Sequence, residues 1–582
     1  MLRSIRPTHL ASVRVRPQLQ LHTTSRITSP KSSPSNNAPV DTTAHSTSST
    51  AAAETMRDAF TSLRAHWDSA RRHARGHPRL AKGATGGALA LAGLAYFLSG
   101  DDGKNDPMLG RPNPADVDAL SRVPLSKLVV YAFCSSPLLI EWSEPLFKTV
   151  RQVPIIGYFV DDFARRTFFR QFFGEETPRL AALNVWAPLR AEHVGVLTAY
   201  NVEAENYDSI LSHATIRECV EGTLDAIRKV GTFGLANSPP SAAEAGDTRC
   251  WVRTKVSGLL PDPQIMIRAS EYIVHNRQGA VPYPGVPEDG DFDRLMHGDG
   301  LSVEDRRALK GLFEELRQFM RQGQKYGVRV ILDAEQSWYQ PAVDVMTEEL
   351  MREFNSGNGP AIVCASTQGY LRRNTALLKS QFKRAQRDGY KYIYKQVRGA
   401  YMPYERARWK EKGFAGPPPV WDTKEETDAT YDTAMRMGLK AIKERQEDGS
   451  KPDVAVIFAT HNEVSVDTAI QYLEDYGMGT RQPDGSLLID PFVANRVAFA
   501  QIYGMKDNLT NRTAASVKTE DGLPVVCKSA VYGTLEHALP NLSRRAAENK
   551  TVMEGRGGAI AERRRIGREL CRRYVPFYRS ER

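Results

Sequence analysis

From position 194 onward, short apolar runs rich in β-branched residues alternate with longer helical patterns, and no other feature of the chain narrows the possible folds as far. The runs fall at 194–202, 251–259, 328–334, 361–366, 390–401, 454–460, 493–502 and 523–532. Amphipathic stretches such as Val303–Tyr326 and 466–476 lie between them. A short continuous apolar run fits a strand buried on both faces, and strand–helix alternation pairs strands in parallel. Eight such units predict a sheet closed on itself. The expected fold is α/β: a distorted (β/α)8 barrel of the TIM type over 194–550, with an N-terminal helical region at 111–193. The stretches 261–299 and 403–423, long and rich in Pro, Gly and charge, read as surface insertions. No Gly-x-Gly-x-x-Gly follows a strand and no Gly-x-x-x-x-Gly-Lys-Ser/Thr occurs, which disfavours a Rossmann domain and removes a P-loop.

With 582 residues, 41% hydrophobic and 25% charged, the chain can bury a large globular core. Its +10 net charge is compatible with nucleic acid, an anionic membrane or a compartment preference. No basic motif with interleaved aromatics is present, so no nucleic-acid partner is expected. Much of the excess sits at the ends. Residues 1–40 carry Arg3, Arg6, Arg14, Arg16, Arg26 and Lys31, with no acid before Asp41, the composition of a mitochondrial transit peptide. A low-complexity linker follows at 41–110. Within it, 83–100 is uncharged and rich in Gly and Ala, and it follows Arg71, Arg72, Arg75 and Arg79. It reads either as a membrane anchor or as a flexible or buried small-residue segment. A basic tail at 551–582, with Arg563, Arg564, Arg565, Arg568, Arg572 and Arg573, would suit an anionic surface. The six cysteines are scattered and form no Cys-x-x-Cys pair.

In such a barrel the chemistry sits at the C-terminal strand ends. There the sequence places Lys255, Asp333-Ala334-Glu335, Gln368 and Tyr370, Lys395, Arg398-Gly399-Ala400-Tyr401, Thr460-His461-Asn462, Gln501 with Gly504-Met505, and Ser529. Beyond the last strand, Leu535, Leu539 and Leu542 repeat at helical spacing and carry Arg544-Arg545 with Glu548 one turn on. The set is rich in cations and donors. It lacks a nucleophile–base pair and a carboxylate–histidine cluster, so no metal is expected; His461 reads as a satisfied structural histidine, with a metal ligand as the lesser alternative. Lys255, Lys395, Arg398, Arg544 and Arg545 suit an anionic cofactor beside an anionic substrate. Gly399-Ala400 permits close backbone approach to a flat or phosphorylated ligand.

Taken in order, Lys255, Asp333-Ala-Glu335, Gln368-x-Tyr370, Val397-Arg-Gly-Ala-Tyr401, Ala459-Thr-His-Asn462, Gln501-x-x-Gly-Met505 and Leu542-Ser-Arg-Arg-Ala-x-Glu-Asn549 resemble the proline dehydrogenase family, in its eukaryotic mitochondrial form. The resemblance implies a flavoenzyme. FAD would take a hydride from C5 of L-proline, giving Δ1-pyrroline-5-carboxylate, and electrons would pass to ubiquinone at the matrix side of the inner mitochondrial membrane. It implies catalytic roles for Asp333 and Lys395. Lys255, Tyr401, Ser529, Arg544, Arg545 and Glu548 would meet the substrate. Ala334, Gln368, Arg398, Gly399, Ala400, Thr460 and His461 would contact FAD. Two positions depart from the family pattern. Lys395 stands where bacterial members have Arg, and Ser529 where many proline-specific members have Tyr. The second leaves hydroxyproline dehydrogenase as an alternative. A non-catalytic, membrane-associated barrel is the remote one.

Overall fold

The computed structural model describes residues 120–123, 128, 162, 165, 169–200, 211–244, 246–534 and 558–574. The stretches read as a transit peptide (1–40) and as a linker with its segment 83–100, most of the 111–193 region, and the expected helix carrying Arg544, Arg545 and Glu548 lie outside the described residues.

Eight strands form the expected closed sheet: β1 (Val194–Tyr200), β2 (Cys250–Thr254), β3 (Val328–Leu332), β4 (Val363–Gln368), β5 (Tyr392–Val397), β6 (Val454–Ala459), β7 (Val497–Ile502) and β8 (Val526–Tyr532). Each pairs in parallel with its sequence neighbour. β8 also pairs with β1, from Val526↔Val194 to Tyr532↔Tyr200, which closes the barrel.

Every barrel strand is buried on both faces, which is why its sequence is nearly continuous apolar. One face packs inward. Leu197, Trp251, Ile331, Cys364, Ile393, Ala455, Ile457, Ala498, Ala500 and Cys527 form an apolar plug of their own. The alternate residues, Val196, Val252, Val330, Val456 and Phe499 among them, belong to the outer core beneath the helices. Burying one such side chain stabilises by about 1.5–3 kcal/mol. The helices start where capping residues satisfy their first amides. Ser212 opens α1 (His213–Ala236) by accepting from the Thr215 amide, and Ser302 opens α2 (Val303–Tyr326) by accepting from Asp305. Thr423 and Glu426 form a reciprocal capping box on α3 (Lys424–Glu447).

Two expectations need correction. The stretch 261–299 is not a surface insertion. It contains the helices Gln264–His275 and Asp291–His297, whose Met266, Ile273 and Leu295 are fully buried. The stretch 403–423 does lie at the surface, with 410–417 exposed throughout, although the helix Met402–Glu411 buries Glu405. Several strands also end earlier than their apolar runs. β2 stops at Thr254 and a 3-10 turn, Ser257–Leu259, follows, because Ser257 leaves the ladder to bond Glu335.

A short segment before the barrel covers part of its mouth. Gly174 and Glu175 pair with Val531 and Tyr532 at the end of β8. Phe169 and Phe173 pack on Ala199 and Val531. No helix among the described residues is long and apolar enough to cross a membrane.

Candidate active site

Strand alternation sets the site. Trp251, Arg253 and Lys255 share one face of β2 and its extension, and so do Ile331 and Asp333, Ile393 and Lys395, and Cys527 and Ser529 on their own strands. The first member of each set lies in or beside the apolar plug. The next is polar and stands toward the C-terminal end. Asp333 Oδ2 accepts from Arg253 Nη1 at 2.9 Å, and Oδ1 accepts from the Lys395 ammonium. Arg253 Nε also donates to Ser529 Oγ at 3.3 Å. These three charged side chains keep only 10–12% of their exposure. Burial alone would push the Asp333 carboxyl up. Lys395 and Arg253 outweigh it and bring its pKa down to about 2. Asp333 is therefore an anion at any working pH.

Two further buried acids brace the loops after β3 to β5. Glu335 is 1% exposed and accepts from the Ser257 amide at 3.0 Å and from the Ser257 hydroxyl. Burial raises its pKa, while the charge of Lys255 and the Ser257 bonds pull the other way, so Lys255 lies within electrostatic reach of this carboxyl. Gln368, at the end of β4, donates to the Glu335 carbonyl at 2.9 Å. The Ser337 amide and hydroxyl donate to the two oxygens of Glu405 at 2.7 and 2.5 Å, and the Tyr370 hydroxyl reaches the same group at 3.4 Å. Burial raises the Glu405 pKa as well.

The lip after β5 and β6 is tied together by Arg398. Its Nε donates to Asp428 at 2.7 Å, Nη1 to Thr460 Oγ1 at 2.7 Å and Nη2 to Ser465 Oγ at 2.9 Å. The guanidinium also lies 4.3 Å over the Tyr431 ring. Asn462 caps the following helix, α4 (Glu463–Asp475), by accepting from Val464 and Ser465. His461 Nε2 accepts the Ile502 amide at 3.0 Å, which assigns its proton to Nδ1 and ties the lip to β7. Gly399 is exposed at φ +137°, and a Cβ there would lie 2.4 Å from the Tyr370 ring. Gly504, at φ +77°, has the Gln171 carbonyl where its Cβ would go, 1.9 Å away, so the segment covering the mouth can close only on glycine.

The structure thus brings Asp333, Lys395 and Ser529 together and joins Arg398 to Thr460. Ala334, Gln368, Ala400 and Tyr401 lie at or just past the ends of β3, β4 and β5. Arg253 is the residue the sequence reading passed over. Its signal was the period-two face it shares with Lys255. Among the described residues no group of three or more His, Cys, Asp or Glu side chains is placed to hold a metal.

A family model described as proline dehydrogenase matches residues 185–555, more than half of the chain. The curated proteins it resembles include proline dehydrogenase 1, mitochondrial, of Drosophila melanogaster, 30% identical over 269 residues that make up 46% of this chain and 36% of that protein. Its namesake in Caenorhabditis elegans is 32% identical over 285 residues, 49% of this chain and 41% of that one. Hydroxyproline dehydrogenase of Bos taurus is 30% identical over 276 residues, 47% of this chain and 54% of that protein. The chain spans between about a third and just over half the length of these relatives.

Proposed function

This chain belongs to the proline dehydrogenase family, and on that premise we propose that its barrel mouth oxidises L-proline to Δ1-pyrroline-5-carboxylate with FAD as the immediate acceptor and ubiquinone beyond it. The observation that carries the reading is the buried Arg253–Asp333–Lys395 cluster at the C-terminal end of a closed parallel barrel. The mouth suits a flavin in two respects. Its paired cations suit a ring system that gains negative charge on reduction, and the exposed backbone at Gly399 and Ala400 allows a flat ligand to approach closely. Bound there, FAD would supply the hydride acceptor, a capacity no side chain has.

The protein's own groups then hold and orient. Lys255, Arg544 and Arg545 bind the proline carboxylate, with Glu548 steadying the arginine pair. Tyr401 packs on the ring, and Ser529 lies beside it. Asp333 is the catalytic anion that fixes the Lys395 ammonium and the Arg253 guanidinium. Ala334, Gln368, Arg398, Gly399, Ala400, Thr460 and His461 line the cofactor side. Both C5–H electrons leave with the hydride, the amine lone pair closes the C5=N bond, and the amine proton goes to solvent. A cationic rim favours the neutral amine that this step needs.

Hydroxyproline dehydrogenase is the second reading, supported by Ser529 and by the Bos taurus relative. Mitochondrial residence, on the matrix side of the inner membrane, rests on the basic leader and on the names of the relatives. The test is steady-state kinetics with L-proline and trans-4-hydroxyproline and a quinone acceptor, on protein checked for flavin absorbance. A higher kcat/KM for proline is expected. A higher value for hydroxyproline selects the second reading, and colourless protein without turnover sinks both.

A further inference from the structure

The alternation that sends Arg253, Asp333, Lys395 and Ser529 toward the mouth sends a second polar set to the opposite, N-terminal end. Two residues before Trp251, Ile331, Ile393, Ala455 and Ala498 stand Arg249, Arg329, Lys391, Asp453 and Arg496. The apolar plug separates the two polar layers. A cavity of about 230 Å³ opens at this lower end, lined by Arg329, Lys391, Arg496, Asp247 and Asp453, with Ile393 and Ala455 among its apolar walls.

Most of these groups are already engaged. Asp453 accepts from Arg496 at 3.0 and 3.2 Å, Asp247 accepts from Arg249 Nε at 2.9 Å, and the Lys391 ammonium donates to the Gly359 carbonyl. Arg329 differs. Its guanidinium donates no hydrogen bond among the described residues. Its acid neighbour, Asp247, stands 3.6 Å away and is shared with Arg249. Counting Arg249, four cations face Asp247, Asp453 and Asp521, the last at 4.0 Å from Arg249, so one positive charge is left over. Burial lowers the pKa of Arg329, Asp247 opposes this, and Arg249 and Arg496 reinforce it. In a network serving stability alone each cation would have a carboxylate of its own, whereas Arg329, 14% exposed, has only a share of Asp247. Here a planar, two-pronged donor faces a cavity several times the liquid volume of one water, about 30 Å³.

We propose that this basal cavity binds a small oxyanion, a phosphate or carboxylate group gripped by the Arg329 fork and the Lys391 ammonium. The site lies at the end of the barrel opposite the proposed chemistry and needs no residue of the mouth.

The experiment is equilibrium dialysis of the full-length holoprotein against labelled orthophosphate and, separately, labelled succinate, at constant ionic strength set with sodium chloride. Wild type is expected to bind about one anion per chain, and Lys255→Met at the mouth is expected to bind equally well. Arg329→Gln and Lys391→Gln should each weaken binding about tenfold or more, the order expected for losing one charge-assisted contact. Preference between the two anions distinguishes a phosphate from a carboxylate ligand. Wild type that takes up neither anion overturns the proposal, as do basal variants that bind as tightly as wild type, or binding lost in Lys255→Met. Lys391 is partly exposed, so its variant keeps the test open if Arg329→Gln fails to fold.

Discussion

Asp333 is the residue on which the mouth depends most. Replacing it with Asn leaves the Lys395 ammonium and the Arg253 guanidinium side by side, nearly buried and without their counter-charge. Breaking a buried pair in this way costs about 3–5 kcal/mol, which chemical denaturation of Asp333→Asn would register. The folded pKa of about 2 lies below the ordinary 3.8, so the stabilising contribution is complete above the ordinary value and is lost as pH falls toward 2. Asp333→Asn should flatten the pH dependence of stability in that acid window and leave it unchanged near neutrality. Ser529 yields a second expectation. Its hydroxyl already accepts from Arg253 Nε, so a Tyr ring there must displace that guanidinium. Ser529→Tyr should lower kcat/KM for hydroxyproline more than for proline. The effect should be non-additive with Arg253→Ser, because the two residues touch. An unchanged substrate ratio would refute this account of Ser529. Arg544→Met or Arg545→Met should raise KM for proline by the equivalent of about 2–5 kcal/mol, the usual result of removing one partner of a buried charge pair, with flavin content kept. That Asp333 and Lys395 meet at neighbouring strand ends was legible from strand-end position and motif. Arg253 was not singled out, because sequence displays the shared face of a strand but not the reach of a side chain to Asp333 on one neighbour and Ser529 two strands away.

Elements were legible where their pattern is local. α2 begins and ends where its amphipathic stretch does, between the Ser302 cap and Gly327. Strand ends were read too long wherever apolar residues run on after the ladder stops, as after Thr254, since hydropathy does not record where hydrogen bonding turns to a side chain. Pro and Gly flank the helix Gln264–His275 closely and give its sequence the look of an insertion, although its Met266 and Ile273 are core residues. The loop after β5 gives the element-scale prediction. Gly399→Ala forces a side chain into a positive-φ position and against Tyr370. Strain of that kind costs about 1–3 kcal/mol. The lip should shift and flavin retention should fall, read as a lower flavin-to-protein absorbance ratio with unchanged far-ultraviolet circular dichroism. A full flavin complement in Gly399→Ala would remove this loop from the cofactor reading.

At the scale of the whole molecule, eight apolar runs were enough to indicate a closed barrel. They could not indicate that a segment ahead of it, through Phe169, Phe173 and Gly174, packs over the β8–β1 side of the mouth. That closure has a consequence for how the protein is made. β1 and β8 lie more than 300 residues apart, and every residue of β8 from Val526 to Tyr532 pairs with one of β1. During synthesis β1 emerges early and waits for its last partner until nearly the whole barrel has left the ribosome. Until then Val194-Gly-Val-Leu-Thr-Ala-Tyr200 has an open, apolar edge with no charge to deter other chains. Pairing across so long a loop is also slow to form. A chain ending before Val526 keeps two bare edges, at β1 and at β7, and should form inclusion bodies on expression to a much greater extent than the full chain does. A soluble, monomeric product from the shortened gene would show that the seam between first and last strands is dispensable for keeping nascent chains apart.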